Sequence, residues 1–197
     1  MRGARGPRRR PPRSVPYRPR RIRGRDDAEG TAALDTDPIP FATAIAPTAL
    51  RIYRGMYDRM LAHLSAAAPL EAVGLLAVAA DGAAGVRATR FYPGTNVDAS
   101  ATRYTMDPAE VLDALRDIDA KGWRLGAIVH SHPATAPTPS ATDRREARYP
   151  EALLVIVGLA SAPPVARAWR IDATVHGDAA EVRPAVIEVP VLLDLSE

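Results

Sequence analysis

Two hydrophobic rhythms alternate along this chain. Tyr57, Met60, Leu61 and Leu64 recur at three- and four-residue spacing, which predicts an amphipathic helix over 54–67, ended by Pro69. Leu50–Tyr53 before it reads as a short strand. The mostly apolar run from Glu71 to Val78 stops at the turn signal Asp81-Gly82 and predicts a buried strand. Val86–Tyr92 predicts a second, closed by Pro93-Gly94. Asp107-Pro108-Ala109-Glu110 opens another helix: Asp is a good N-cap, Pro suits the first helical position, and Glu110 stands where a capping box puts its acid. Val111, Leu112, Leu115 and Ile118 form its inward face, and Lys121-Gly122 ends it. Leu125–Val129 is a buried strand that runs straight into His130. Leu153–Leu159, Val165–Ile171 and Val182–Val189 are three more strands. Helices interleaved with strands give an α/β or α+β class with a mixed sheet, and no internal repeat is visible.

Composition changes this picture at one end. Residues 1–45 are rich in Arg, Pro and Gly, without apolar periodicity, and are expected to be a disordered arm. Residues 1–25 hold eleven of the 26 basic residues and no acid; the remaining 15 face 23 acids, a net of −8. The overall +3 therefore hides an acidic body behind a basic arm. Such an arm either meets a polyanion or is simply solvated, and no apolar h-region follows it to make a secretory signal. The hydrophobic fraction of 47% suffices for one globular domain, expected over 48–190 with a tail over 191–197. The absence of cysteine excludes disulfides and thiolate metal sites and fits a cytoplasmic setting. No apolar run approaches the ~20 residues of a membrane span.

The chemistry concentrates in His130-Ser131-His132, followed after seven residues by Ser140-Ala141-Thr142-Asp143. The chain has only four histidines, and two stand here. In a strand, side chains at i and i+2 share a face about 6.6 Å apart, so both imidazoles can converge on one ion. Two imidazoles and a carboxylate with one open position make a catalytic zinc site, with His130, His132 and Asp143 as ligands. Ser140-x-x-Asp143 also reads as a capping box, which needs no metal. A zinc-activated water needs a proton acceptor, and Glu71, at the head of an apolar strand, is the candidate general base. Glu71 in an exposed loop after Pro69 is the equal alternative on these grounds. His63 and His176 have no partner pattern and read as surface residues.

Together, Glu71-x-x-Gly74-Leu75-Leu76 and His130-x-His132-Pro133…Ser140-x-x-Asp143 resemble the JAMM (MPN+) zinc metallopeptidases, over about residues 48–190. The resemblance implies a cytidine-deaminase-like JAMM/MPN fold, with a mixed, mostly antiparallel sheet flanked by helices. It implies one Zn2+ on His130, His132 and Asp143, with Glu71 as general base and then proton donor. Ser140 would hold the water or steady the oxyanion. Val73 stands where many prokaryotic members carry a cysteine. The compact size is similar to the prokaryotic single-domain branch, whose members cleave after the C-terminal Gly-Gly of ubiquitin-like or sulfur-carrier proteins. Asn96 and the Arg103-Tyr104…Asp107 region resemble a subgroup that releases cysteine from such a carrier. Two other classes compete: a non-catalytic MPN-type binding module, and a DNA-associated protein of the RadC type, whose loop is similar to Pro137-Thr138-Pro139-Ser140. The acidic body and Glu71 weigh against nucleic acid except through the arm, and neither a membrane role nor an oligomeric state is implied.

Overall fold

The computed structural model describes residues 47–79, 85–172 and 185–195. The arginine-rich segment, His176 and the first residues of the last predicted strand lie outside them. In chain order the elements are β1 (Leu50–Tyr53), α1 (Arg54–Ala66), β2 (Val73–Ala79), β3 (Val86–Gly94), α2 (Pro108–Ala120), β4 (Trp123–His132), α3 (Ala141–Glu146), β5 (Leu153–Gly158), β6 (Val165–Ile171), β7 (Val186–Val189) and β8 (Val191–Asp194). The eight strands form one sheet in the order β7-β6-β5-β4-β2-β3-β1-β8. It is mixed, with β2–β3, β2–β4, β5–β6 and β6–β7 antiparallel and β4–β5, β1–β3 and β1–β8 parallel. No helix among the described residues is long and apolar enough to cross a membrane.

The two ends of the sheet are joined by a single residue. β7 and β8 stand at opposite ends of the order, yet only Pro190 separates them, and its carbonyl accepts from Leu50 N at 2.8 Å. One residue spans about 3.5 Å, so the sheet has to curl until its edges meet. Inside the curl lies the main core. Met56, Met60 and Leu64 of α1 pack on Ile52, Leu76, Val78, Val129, Val155 and Val157. The other face carries Val73, Leu75, Leu125 and Ile128, covered by Ala114 and Val111 of α2.

One irregularity sets the phase of the face that carries the chemistry. From Leu76↔Ala127 the pairing of β2 with β4 jumps to Ala77↔Leu125, so Gly126 is the extra residue of a β-bulge. Leu125 thereby joins Ile128, His130 and His132 on the α2 face, although strict alternation would put it opposite. Only glycine fits there, since a Cβ on residue 126 would stand 2.2 Å from Val78 Cγ1.

Several boundaries depart from the sequence expectations. β2 begins at Val73, so Glu71 precedes the strand instead of leading it. β3 runs through Pro93-Gly94. Residues 191–194, read as tail, form β8 against β1, where Arg51 pairs with Asp194. Leu112 does not belong to the inward face of α2: it is 48% exposed, because the buried stripe runs through Ala114 and Ile118 and residue 112 lies off it. Glu110 does not close a capping box either. Asp107 caps the helix alone, accepting from Ala109 N and Glu110 N, while the Glu110 carboxylate accepts from Thr95 N at 2.6 Å and Thr95 Oγ1 at 2.9 Å. His63 is not a plain surface residue. Its Nε2 donates to Val73 O at 3.0 Å and its ring meets Phe91 edge-on, tying α1 to the start of β2.

Candidate metal centre and active site

The end of β4 delivers both histidines to one face. His130 pairs in register with Val73 on one side and Ile156 on the other, and is wholly buried; His132 follows two residues on, 6% exposed. Their rings tilt together until the Nε2 atoms stand 3.1 Å apart. Asp143 completes the group: Oδ1 lies 3.5 Å from His130 Nε2, and Oδ2 lies 3.7 Å from His132 Nε2. Ligands about 2.0–2.1 Å from a tetrahedral zinc are separated by roughly 3.3–3.4 Å; the two Nε2 atoms stand close to that separation, and one ligand atom from each of the three residues lies within 4.8 Å of the others. Among the described residues this is the one cluster of His, Cys, Asp or Glu that converges in this way.

Two of the three candidate ligands are held by local hydrogen bonds. His132 Nδ1 donates to Ala136 O at 2.8 Å, with Thr135 Oγ1 at 3.2 Å, which leaves the Nε2 lone pair free for a metal. The loop carrying Ala136 is anchored in turn, as Trp169 Nε1 donates to Pro137 O at 3.0 Å. Asp143 sits in the first turn of α3, where Ser140 and Asp143 form a full capping box. Asp143 N donates to Ser140 Oγ at 3.1 Å, and Ser140 N donates to Asp143 Oδ2 at 2.7 Å. The capping-box reading of Ser140-x-x-Asp143 therefore holds, and it leaves the Asp143 carboxylate facing the two histidines. Ser140 itself is exposed at the lip of the cleft, and its Oγ, used as an acceptor, still has its O–H proton to donate.

Glu71 faces the same cleft and is 6% exposed, so it does not stand in open solvent after Pro69. Its position comes from residues far away in sequence. Glu71 N donates to Ser100 O at 2.8 Å, and Asn96 Nδ2 donates to Glu71 O at 2.8 Å. The next residue is bound to the middle of the histidine motif: Ala72 N donates to Ser131 Oγ at 2.9 Å, and Ser131 N donates to Ala72 O at 3.0 Å. Ser131, Asn96 and Tyr104 are neighbours of the candidate site that periodicity did not single out. Ser131 had one sequence signal, being a hydroxyl in an apolar strand that must point away from its flanking histidines and find a buried partner. Tyr104 stacks on His130, with ring centroids 4.4 Å apart.

The metal-free electrostatics follow from burial and mutual proximity. Burial raises the Glu71 carboxyl from 4.5 to about 7; the nearby His132 opposes this and Asp143 adds to it. Burial likewise drives His130 down to about 3, against the pull of Asp143. Burial would lower His132 too, but Asp143, the Ala136 carbonyl and Glu71 outweigh it and raise that imidazole. Asp143 is held well below the usual carboxylate range, since His132, His130 and Ser140 overcome its desolvation. His132, the ionised Asp143 and the protonatable Glu71 line one cleft of about 380 Å3 together with Tyr104, Arg103 and Tyr149, and His130, wholly buried, does not line it. A buried cluster of this kind, with opposed shifts, marks a candidate functional site.

Comparison with known proteins places this geometry. Residues 54–172 match the family model described as prokaryotic homologs of the JAB domain. The chain is 39% identical over 101 residues to a probable TtuB-protein conjugate cleaving protease of Thermus thermophilus, covering 51% of this chain and 64% of that protein, less than two thirds of its length. It is 36% identical over 98 residues to a desampylase of Haloferax volcanii, covering 47% and 68%. It is 37% identical over 109 residues to a CysO-cysteine peptidase of Mycobacterium tuberculosis, covering 55% and 72%. Among solved structures, a Desulfitobacterium hafniense protein superimposes with a TM-score of 0.63 at 35% identity, covering 74% of this chain and 93% of that one. A Salinibacter ruber protein with a TM-score of 0.52 at 23% identity shares the fold. With a matched stretch that runs from α1 through β6 and takes in Glu71 and the whole histidine motif, this chain belongs to the prokaryotic JAB-domain family.

Proposed function

We propose that this protein is a zinc metallopeptidase that hydrolyses the bond after the C-terminal Gly-Gly of a ubiquitin-like or sulfur-carrier protein. The observation that carries the reading is the buried convergence of His130, His132 and Asp143, one ligand atom from each within 4.8 Å of the others, with Glu71 lining the cleft that His132 and Asp143 line. His130 and His132 would ligate through Nε2, and Asp143 through its carboxylate. Bound zinc supplies Lewis acidity, which makes water acidic near neutral pH and polarises a carbonyl. Glu71 takes a proton from the attacking water, whose oxygen adds to the carbonyl carbon. The Ser140 hydroxyl donates to the carbonyl oxygen as negative charge develops there. Glu71 then returns its proton to the amine nitrogen as the C–N bond breaks, leaving a carboxylic acid and a free amine. The conjugate-cleaving and desampylase relatives support a carrier-protein substrate.

The likeness to the CysO-cysteine peptidase supports a second reading of the same chemistry, in which the amine released is a single cysteine. Both readings put the hydrolysis in one cleft, and they differ only in what lies beyond the scissile bond. The test is a small carrier ending in Gly-Gly, joined in one substrate to cysteine and in another to a protein lysine. Wild type should cleave at least one, stop on zinc removal and recover when zinc is restored, and His132→Ala should cleave neither. Stoichiometric zinc without cleavage of either substrate would favour a binding module instead.

A further inference from the structure

The two imidazoles of the metal centre are steadied in different ways. His132 has a hydrogen bond behind it, from Nδ1 to Ala136 O at 2.8 Å. His130 has none: it is fully buried, and its Nδ1 is without a partner. A metal-ligating histidine almost always donates its second ring nitrogen to an acceptor, which fixes both tautomer and ring orientation. The terminal torsion of an imidazole is otherwise broad, so packing has to do this at His130. The ring packed there is Tyr104, whose centroid lies 4.4 Å from that of His130 with the planes 27° apart. Turning the imidazole about its Cβ–Cγ bond would drive its edge into the phenol face.

Tyr104 is itself well fastened. Asn96 Nδ2 donates to Arg103 O at 3.0 Å, and Thr105 N donates to Asn96 Oδ1 at 3.1 Å, so one side chain grips both sequence neighbours of Tyr104. Asn96 also bridges to Met106 and donates to Glu71 O at 2.8 Å. The loop that presents the phenol is therefore tied to the segment that presents Glu71. A ligated imidazole carries partial positive charge, which an aromatic face attracts.

We propose that Tyr104 is a positioning residue for the metal centre: its stacked ring supplies the orientation of His130 that a hydrogen bond at Nδ1 supplies elsewhere. This rests on the metal-site reading above. The role belongs to the aromatic face, not to the hydroxyl, and that makes it testable by zinc affinity alone. Zinc would be titrated into metal-free full-length chain against a fluorescent chelator, with the fold and thermal midpoint of each metal-free variant taken by circular dichroism. Tyr104→Phe should bind zinc within about threefold of wild type. Tyr104→Ala and Tyr104→Leu should bind about 10–100-fold more weakly, the usual loss when the outer partner of a ligand is removed. A merely structural role would lower the thermal midpoint and leave the affinity of the folded protein unchanged.

Wild-type affinity in folded Tyr104→Ala or Tyr104→Leu would overturn the proposal. So would a loss in Tyr104→Phe as large as in Tyr104→Ala, which would give the role to the hydroxyl. Should Tyr104→Ala not fold, Tyr104→Leu decides, since it keeps apolar bulk without a planar face. The metal reading fails separately, if wild type takes up no zinc or His132→Ala keeps it.

Discussion

Glu71→Gln removes a proton acceptor and keeps its shape. The backbone of Glu71 is gripped by Ser100, Asn96 and, through Ala72, by Ser131, so the amide should occupy the place of the carboxyl. A positioned general base contributes about 10²–10⁴-fold to rate, and at 1.36 kcal/mol per decade its loss raises the barrier by roughly 3–5 kcal/mol. Zinc should stay stoichiometric, because the three donor atoms belong to other residues. Stability gives a second, independent reading. In the metal-free protein burial lifts this carboxyl from 4.5 to about 7, so the folded state holds its proton more tightly than the unfolded chain does. The stability linked to that proton is full below pH 4.5 and is lost as pH rises through about 7. That interval corresponds to roughly 3 kcal/mol at 1.36 kcal/mol per unit. Glutamine cannot titrate, so the difference in unfolding free energy should move in favour of the variant by up to that amount between pH 4.5 and 8. His130 and Asp143 titrate in both proteins, whereas His132 loses the upward pull of Glu71 in the variant, so the difference reports Glu71 together with its coupling to His132. Urea unfolding of both chelated proteins across this range, with turnover on a Gly-Gly carrier fusion, measures the two effects. An unchanged rate would put the base elsewhere. Lost zinc would make Glu71 a ligand, and a stability difference flat with pH would mean that its carboxyl is solvated.

Three further substitutions probe the supports of the site. Ser140→Ala removes the cap acceptor for Asp143 N and the hydroxyl donor at the cleft, so the folded state should lose ~1 kcal/mol and turnover should fall about 10²-fold, measured by thermal unfolding and steady-state kinetics. Gly126→Ala forces a methyl to 2.2 Å from Val78 at the bulge; overpacking of ~1–3 kcal/mol should lower the urea midpoint at unchanged m-value, and an unchanged midpoint would mean that the bulge can move. Asn96→Asp keeps the acceptors for Asp98 N and Thr105 N but loses both donors, setting a carboxylate against the carbonyls of Glu71 and Arg103. A cost of about 2 kcal/mol should lower the thermal midpoint by some 4–8 °C, and calorimetry checks it.

What the sequence made legible was local. Period-two alternation was enough to set His130 and His132 on one face, and helical spacing was enough for α1, because both patterns need only near neighbours. The Gly126 bulge defeated alternation upstream of the histidines: Leu125 shares their face only because one residue drops out of register against Leu76 and Ala77. Glu71 was ambiguous for a related reason. Its burial depends on Ser131, 59 positions beyond Ala72, and on Asn96, 25 positions beyond Glu71, and no window of periodicity contains such pairs. His63 hid its role for a different reason: its acceptor, the carbonyl of Val73 ten positions on, lies in the next element beyond Pro69 and not along the helix. β8 escaped notice because none of its four residues is fully buried, so its alternation has no contrast, and only its pairing with β1 makes it a strand.

The capping box at Ser140 and Asp143 shows why a structural and a chemical reading of one motif need not compete. Ser140 N–H binds Asp143 Oδ2 and so fixes the plane of the carboxylate. Asp143 N binds Ser140 Oγ and fixes the start of α3. With both bonds made, Oδ1 faces His130 Nε2 at 3.5 Å and Oδ2 remains 3.7 Å from His132 Nε2. The helix cap therefore orders the carboxylate proposed as a metal ligand, and its hydrogen bonds join His132 and His130 in holding that group well below the usual carboxylate range. A free aspartate rotamer would have to be ordered at the moment of binding, whereas this one is ordered by the folding of α3. In the proposed metal site the cap is thus what presents Asp143, and a replacement that caps as well but lacks a carboxylate, Asp143→Asn, should leave α3 intact by circular dichroism and weaken zinc binding in a chelator titration.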